Sequence, residues 1–542
     1  MSGGAIFQES LRRVMALQLP DEARRDVVAA LHAAGLPPLL QFLYEAGHEV
    51  GLSAETLRAR ATAAFLFFAA GNLADDLVDG DVDYLDPPVR LGPTVQFLLQ
   101  HLAYAVLVEG GVGPQDIQRI AMTFARAAGP QQLEVRTTSW TAARYREVGA
   151  GVAGCQWQAQ LRVLWAGTAD VDDAVAGADV VGMAIGFASH VAEDIRSQDP
   201  RFYSMTAHDR AIIVNEARAA LDVVARSGRK LAQFITHATH PPLQAAAVAA
   251  WYDEKTRRIL ERYGPGPRVH YHTGRYRRVG DEDGISAGEA RARLVQAQEA
   301  VVVDTLVATD LWRRLPGLAV LDCGCGLGGT SLLCAERGAE VTSITVAPSH
   351  VEVVRDFALR AGAQERIEVR LQDVADIADE ARFDVALAFE ASCYFDRRAF
   401  FSRMQQVLKA DGRVVVVDLF AGKATDKAAG TVDLNADVSA DVSAGVKADF
   451  DRVWRTDLGT LAEYDAAAED AGFVRLSCDD ISADCVDFWD LTRRDTTLAL
   501  TAATLDEDER RRLSDSLTAH AFLQRAGSDG GLRHLRVVWG RP

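Results

Sequence analysis

The stretch Val320-Leu-Asp-Cys-Gly-Cys-Gly-Leu-Gly-Gly329 carries an apolar strand straight into a glycine-rich turn. Residues 318–321 read as the strand, Asp322 follows, and Gly324, Gly326 and Gly328 occupy alternate positions before a helix opens at Thr330. Glycine reaches backbone conformations closed to other residues, and it lets a ligand approach the main chain where a Cβ would stand in the way. A nucleotide-like cofactor is expected there, although dinucleotide folds and ordinary tight turns produce the same spacing.

Outward from this turn the chain alternates strands with helices. A second strand is expected over residues 340–346, followed by Ala347-Pro-Ser-His350 and a helix from Val351. A third covers 367–371 and ends in Gln372-Asp373; a fourth covers 383–389 and ends in Glu390; a fifth covers 412–418. Residues 472–477 and 532–539 read as the last two strands, an antiparallel pair at the sheet edge. Such alternation predicts a doubly wound, mostly parallel sheet with its ligand at the strands' carboxyl ends.

This pattern resembles the class I S-adenosylmethionine-dependent methyltransferases, a Rossmann-like α/β fold. Three segments narrow the likeness. Ile344-Thr-Val-Ala-Pro-Ser349 and Glu390-Ala-Ser-Cys-Tyr-Phe395 resemble segments of sterol and prenyl diphosphate C-methyltransferases, and Tyr263-Gly-Pro-Gly-Pro-Arg-Val-His-Tyr-His-Thr-Gly274 resembles the geranyl diphosphate C-methyltransferase group. The resemblance implies S-adenosyl-L-methionine as cofactor. Asp322, Gly324, Gly326 and Gly328 would shape the turn around its methionine moiety, Thr345 would lie near the ribose, and Asp373 would meet the adenine amine.

At 542 residues the chain is too long for a single core, so two domains are expected, residues 1–242 and 243–542. Its net charge of -18 argues against a nucleic-acid or anionic-membrane surface, so a diphosphate must be held by local basic groups or a metal. The seven cysteines form no ladder of spacings, and Cys323-x-Cys325 lacks the gap of a zinc site, which suits reduced thiols and a cytoplasmic location. No signal peptide is read at the N-terminus, and the apolar run 61–70, soon followed by Asp75, is too short for a membrane span.

Residues 5–240 read as helices throughout, with breaks at 35–38, 86–88, 110–114 and 240–242. Residues 237–242 read as a stiff hinge, and 421–449, poor in large apolar residues, as a flexible lid or insertion. Two acidic clusters stand out in the helical half. Asp75 and Asp79 share a helix face with Asp76 between them, and a second apolar helix runs into Glu193 and Asp194. Like charges one turn apart repel unless a cation intervenes, and carboxylate oxygens suit magnesium; a solvated acidic helix end is the alternative. The two clusters, with Gln131-Gln-Leu-Glu134 between them, resemble trans-isoprenyl diphosphate synthases and class I terpene synthases. That resemblance implies an isoprenoid-synthase-like bundle binding Mg2+. The basic residues that hold a second diphosphate in chain-elongating members are missing, so cyclisation of one diphosphate is expected rather than condensation.

Carbon methylation of an alkene needs a double bond aligned with a methyl donor and a base to take a proton from the resulting cation. Glu390, at the end of the fourth strand, is the candidate base that the resemblance implies; an acid binding a cofactor hydroxyl, or a strand-end helix cap, is the alternative. Tyr271 and Tyr394 offer ring faces to a cation. Arg268, His270, His272 and Arg275 form a basic segment suited to the diphosphate of a prenyl diphosphate substrate.

Three readings result. The first is a bifunctional terpene enzyme, methylating a prenyl diphosphate with the C-terminal half and ionising and cyclising it with the N-terminal half. The second keeps the methyltransferase and makes the helical half a scaffold that binds diphosphate or builds a homo-oligomer. The third is a natural-product methyltransferase of another substrate class with an unrelated partner-binding module.

Overall fold

In the computed structural model, residues 3–35, 37–80, 82–278, 284–422, 440–501 and 505–542 are described. The chain divides into two units, Met1–Ala247 and Val248–Pro542.

The second unit is built around the strand quoted above. Val320, Leu321 and Cys323 are all buried in β1 (Ala319–Cys323), because a parallel strand covered on both faces has no side for polar residues. β1 pairs in parallel with β2 (Glu340–Thr345) on one side and β4 (Phe383–Phe389) on the other. With β3 (Ile367–Leu371), β5 (Leu408–Ala421), β6 (Val474–Asp480) and β7 (Leu532–Gly540) the sheet order is β3-β2-β1-β4-β5-β7-β6. β7 runs antiparallel to both β5 and β6. The strand order reverses between β1 and β4, which opens a crevice at their carboxyl ends. There the glycine turn and Glu390 become neighbours: a Cβ on Gly324 would lie 2.5 Å from the Cβ of Ala391.

Two strands run longer than their sequence pattern implies. β5 starts at Leu408 because an irregularity in β4 between Phe383 and Val385 lets Phe383 pair with Leu408, ahead of Asp411-Gly412. β6 continues to Asp480 because Asp479 and Asp480 pair with Arg536 and Arg533 of β7 at 2.8 and 2.7 Å. Of the expected lid, residues 423–439 lie outside the described residues, and from Ala440 the chain is a helix, Ala440–Trp454.

The first unit is a helical bundle. Three of the four predicted breaks fall between helices, with Pro37–Glu49, Pro88–Glu109 and Pro114–Arg136 each opening on a proline that needs no N–H partner there. The fourth does not. Residues 237–242, read as a hinge, lie inside the helix Leu231–Tyr263, which also contains the division at Ala247. Two prolines weaken a helix, but Leu231, Ile235, Thr239, Leu243 and Ala247 are buried at four-residue intervals, and that mostly apolar stripe holds it through them.

The membrane reading also needs correction. Ala54–Val78 and Pro88–Glu109 are long and apolar enough to cross a membrane by length and composition. Counting only uninterrupted apolar residues missed them, since scattered polar positions are tolerated in such a window.

Candidate functional site

The turn after β1 has the backbone its glycines were expected to supply. Gly324, Gly326 and Gly328 have φ of 73°, 52° and 79°, in the left-handed region where a side chain is strained. Gly329 is equally constrained from the other side, because a Cβ there would lie 2.6 Å from the carbonyl oxygen of Val269 and 2.7 Å from Nδ1 of His270. The bare main chain therefore forms a cradle between the 263–274 segment and the end of β4.

The polar residues assigned to the cofactor have local partners. Asp322 is buried and accepts a 2.5 Å hydrogen bond from Ser331, whose hydroxyl lies 2.7 Å from that of Ser343. Burial pushes the Asp322 carboxyl up to about 6. The Thr345 hydroxyl accepts the Ala347 N–H at 3.2 Å, and Asp373 caps a short turn by accepting the Ala375 N–H at 2.9 Å. These bonds fix the loops at the ends of β1, β2 and β3. The cradle fits S-adenosylmethionine through the side-chain-free main chain of its glycines, with Asp322 and Thr345 buttressing the loops behind it.

Beyond Glu390 lies a cavity of about 620 Å³. Glu390, Tyr271 and Tyr394, the three residues proposed for chemistry, all line it, together with Tyr252, Tyr263 and His272. The Tyr252 and Tyr394 hydroxyls are 3.2 Å apart, and the Tyr252 ring stands edge-on to those of Tyr271 and Tyr394. Packing of this kind fixes aromatic walls able to face a carbocation.

Glu390 is held in an unusual state. Its φ of 45° is rare for a residue with a side chain, and it turns the carboxylate off the end of β4. One oxygen accepts the Thr273 N–H at 2.9 Å, and Nε2 of His534 lies 3.3 Å from the same oxygen. Burial pushes the carboxyl up to about 8, the backbone hydrogen bond opposing only part of that effect. Burial also holds His272 down, to about 4, so the site contains a neutral imidazole beside an acid that gives up its proton reluctantly. Asp418 of β5, which the sequence reading passed over, borders the same cavity and accepts the Ser392 hydroxyl at 2.6 Å.

The proposed diphosphate cluster is dispersed. Arg268 pairs with Glu336 at 2.9 Å, and Arg275 pairs with Asp304 and Asp484. His270 is buried and held well below its usual range, so it brings no positive charge. His272 alone of the four borders the cavity. In so acidic a chain, exposed arginines find carboxylates from distant segments before they find a ligand. The cations that do line the cavity are Lys255, Arg257, Arg258, Arg262, Arg291 and Arg512. Lys255 rests 3.2 Å from the centre of the Trp251 ring, and burial pulls it down to about 7. Arg262 pairs with Asp495 at 2.6 Å. Their sequence signal was weak because they come from three separate helices, Leu231–Tyr263, Ala287–Ala308 and Glu507–Ser528.

In the helical unit the acids expected to hold magnesium are engaged by protein donors. Asp75 accepts from Gln131 at 2.7 Å, and Asp76 accepts from Asn72 and Tyr84 at 2.8 Å each. The side chain of Asp79 lies outside the described residues. Glu193 is exposed and pairs with Arg196 at 2.7 Å, whereas Asp194 is buried, accepts the Tyr145 hydroxyl at 2.5 Å and lies 3.8 Å from Arg201. Adjacent helix positions face about 100° apart, which is why the two separate. Among the described residues no group of three or more His, Cys, Asp or Glu is placed to hold a metal ion. This donor set, turned inward to amides, a phenol and a guanidinium, does not fit a magnesium cluster.

Residues 287–435 match the family model described as mycolic acid cyclopropane synthetase. The chain is 32% identical over 109 residues to the sterol 4-C-methyltransferase strm-1 of Caenorhabditis elegans, covering 20% of this chain and 33% of that protein. It is 42% identical over 78 residues to a ubiquinone biosynthesis O-methyltransferase of Xanthomonas campestris, covering 14% and 32%. The chain thus spans about a third of the length of these curated relatives. Among solved structures, a geranyl diphosphate methyltransferase in complex with GPP and sinefungin aligns over 55% of this chain and 100% of its own, with 17% identity and a TM-score of 0.44. A geranyl diphosphate C-methyltransferase from Streptomyces coelicolor aligns over 55% and 98%, with 15% identity and a TM-score of 0.42. Through residues 287–435 the C-terminal region matches a family of S-adenosylmethionine-dependent methyltransferases, following a helical N-terminal region.

Proposed function

We propose that the C-terminal unit transfers a methyl group from S-adenosylmethionine to an alkene carbon of a prenyl diphosphate, with Glu390 as the base. The observation that carries this reading is Glu390 itself: a strained, half-buried carboxylate lining an aromatic cavity, beside the glycine cradle. The cofactor supplies an electrophilic methyl group whose sulfur leaves as a neutral thioether. Tyr252, Tyr271 and Tyr394 present π-electron density to the positive charge formed on carbon. Glu390 then accepts the proton whose departure restores a double bond. A bound sulfonium would favour the charged carboxylate and so ready Glu390 as a base. Lys255, Arg258, Arg262, Arg291 and Arg512 offer charge and guanidinium donors to the diphosphate end.

For the helical unit the cyclase reading requires acids available to magnesium. The bonds from Gln131, Asn72, Tyr84, Tyr145 and Arg201 favour the scaffold reading instead. Helix packing points the same way: Gly182 and Gly186 lie so close to Gln158 and Ala153 that a Cβ at either would overlap their main chain. Substituting Asp75→Asn with Asp76→Asn should leave the product unchanged; loss of a cyclic hydrocarbon in that variant would restore the cyclase reading.

The substrate class is tested by turnover of the full chain with S-adenosylmethionine and, in parallel, geranyl diphosphate, farnesyl diphosphate, geraniol, a sterol and a catechol. Methylation confined to the diphosphates is expected. Turnover of the catechol or sterol alone would replace this reading with that of a natural-product methyltransferase of another class.

A further inference from the structure

His534 stands behind Glu390, on β7 and away from the cavity wall. Its main chain is pinned on both sides: the N–H donates to the Ser482 hydroxyl at 2.9 Å, and the carbonyl accepts the Ile481 N–H at 2.9 Å. The imidazole is only 3% exposed, and neither ring nitrogen has a hydrogen-bond partner among the described residues. Nε2 nonetheless lies 3.3 Å from Oε1 of Glu390, close enough for a small adjustment to complete a bond. A buried polar atom left unmatched at this distance from a carboxylate is unfavourable unless it is used in another state of the site.

The remaining titratable groups facing the pair come from several elements. Asp418 of β5, Cys393, Tyr252, Tyr271 and Cys485 act on or respond to Glu390, and His272 and Asp480 act on His534. Burial keeps His534 neutral, down to about 3, so it faces Glu390 as a dipole rather than as a cation. With its proton on Nε2, a neutral imidazole stabilises the charged carboxylate and gains nothing from the protonated one.

We propose that His534 is a positioning residue for the base: it donates Nε2–H to the ionised Glu390 carboxylate, sharing that oxygen with the Thr273 N–H, and so holds the base charged and aimed into the cavity. The inference rests on the proposed role of Glu390. No bond to substrate or cofactor is involved, and no proton leaves the imidazole during turnover.

The test compares the full-length wild type with His534→Gln, whose amide can place an N–H near the same point, and His534→Leu, which cannot donate. Thermal unfolding and S-adenosylmethionine binding are measured on each to establish folding. In the leucine variant, the pH at which kcat/KM for geranyl diphosphate reaches half its plateau should rise by about one unit, with kcat at pH 7 about tenfold lower and KM little changed. Glutamine should restore most of the loss. Folded variants sharing one pH profile with the wild type, or glutamine failing as badly as leucine, would overturn the assignment. Should the wild type methylate no prenyl diphosphate, the reaction proposal fails by itself. The His534 contact is then read directly from the Glu390 carboxyl titration in carbon-labelled protein, which should move upward in the leucine variant; an unmoved titration overturns it.

Discussion

Asp194 in the helical unit and Glu390 in the α/β unit are both carboxylates taken out of water, and burial raises both above the usual carboxylate range. Their company differs. Asp194 accepts a phenol hydrogen bond from Tyr145 and lies 3.8 Å from both Arg201 and His190, so its environment is arranged to keep it in place. Glu390 has one backbone N–H, an imidazole not yet in bonding geometry and a backbone angle few residues adopt. A compensated buried acid is part of the packing; an undercompensated and strained one is held ready for a charge that arrives from outside.

The largest expected effect separates these two acids by activity. Glu390→Gln should lower kcat for methyl transfer by ~10²–10⁴-fold, the usual contribution of a positioned base, while Asp194→Asn should leave it within about twofold. Comparable losses in steady-state assays of both variants would erase the distinction. Stability should show the reverse order. Asp194→Ala removes the acid from beside Tyr145 and Arg201 and should destabilise the helical unit by ~3–5 kcal/mol in denaturant unfolding, as when one partner of a buried pair is lost. Glu390→Gln should not destabilise the protein at pH 8.

The cavity cations sharpen the comparison next. Lys255→Met or Arg512→Met should each raise KM for a prenyl diphosphate about tenfold, by loss of a charge-assisted contact, whereas Arg268→Ala and Arg275→Ala should change it less than about twofold. The reverse ranking would return the diphosphate to the 268–275 segment.

The same acid also shows in the pH dependence of stability. The folded-state value for Glu390 is about 8 against an ordinary 4.5, so the folded protein holds a proton that the unfolded chain has already released between those values. The stability present below pH 4.5 is therefore lost as pH rises through 8. Melting curves of Glu390→Gln should lie above wild type by a margin that grows from pH 5 to pH 8.5, and a constant margin would show that Glu390 is not buried in protonated form.

The glycine turn was legible because Gly324, Gly326 and Gly328 constrain the backbone locally, and a local constraint is visible in a local string of residues. Glu390 was legible for the same reason, being the residue at which an apolar strand stops. His534 was not: it lies within a strand read only as one of an antiparallel edge pair, and only the insertion of β7 between β5 and β6 brings it within reach of Glu390. The arginines of the 268–275 segment misled because charge density in sequence says nothing about Glu336, Asp304 and Asp484, which reach them from far along the chain. The partners of Asp75, Asp76 and Asp194 were equally out of view. The spacing of these acids was apparent, but the Gln131, Tyr84 and Tyr145 side chains that take up their oxygens could be located only in the folded bundle.

The most direct test is to supply the full-length protein with geranyl diphosphate and S-adenosylmethionine carrying a trideuterated methyl group, and to locate the label in the product by NMR and mass spectrometry. The account predicts an intact trideuteromethyl group bonded to an alkene carbon of a product that retains its diphosphate, formed by the wild type and nearly absent with Glu390→Gln. Label found on oxygen, or a Glu390→Gln variant that methylates carbon at the wild-type rate, would contradict it.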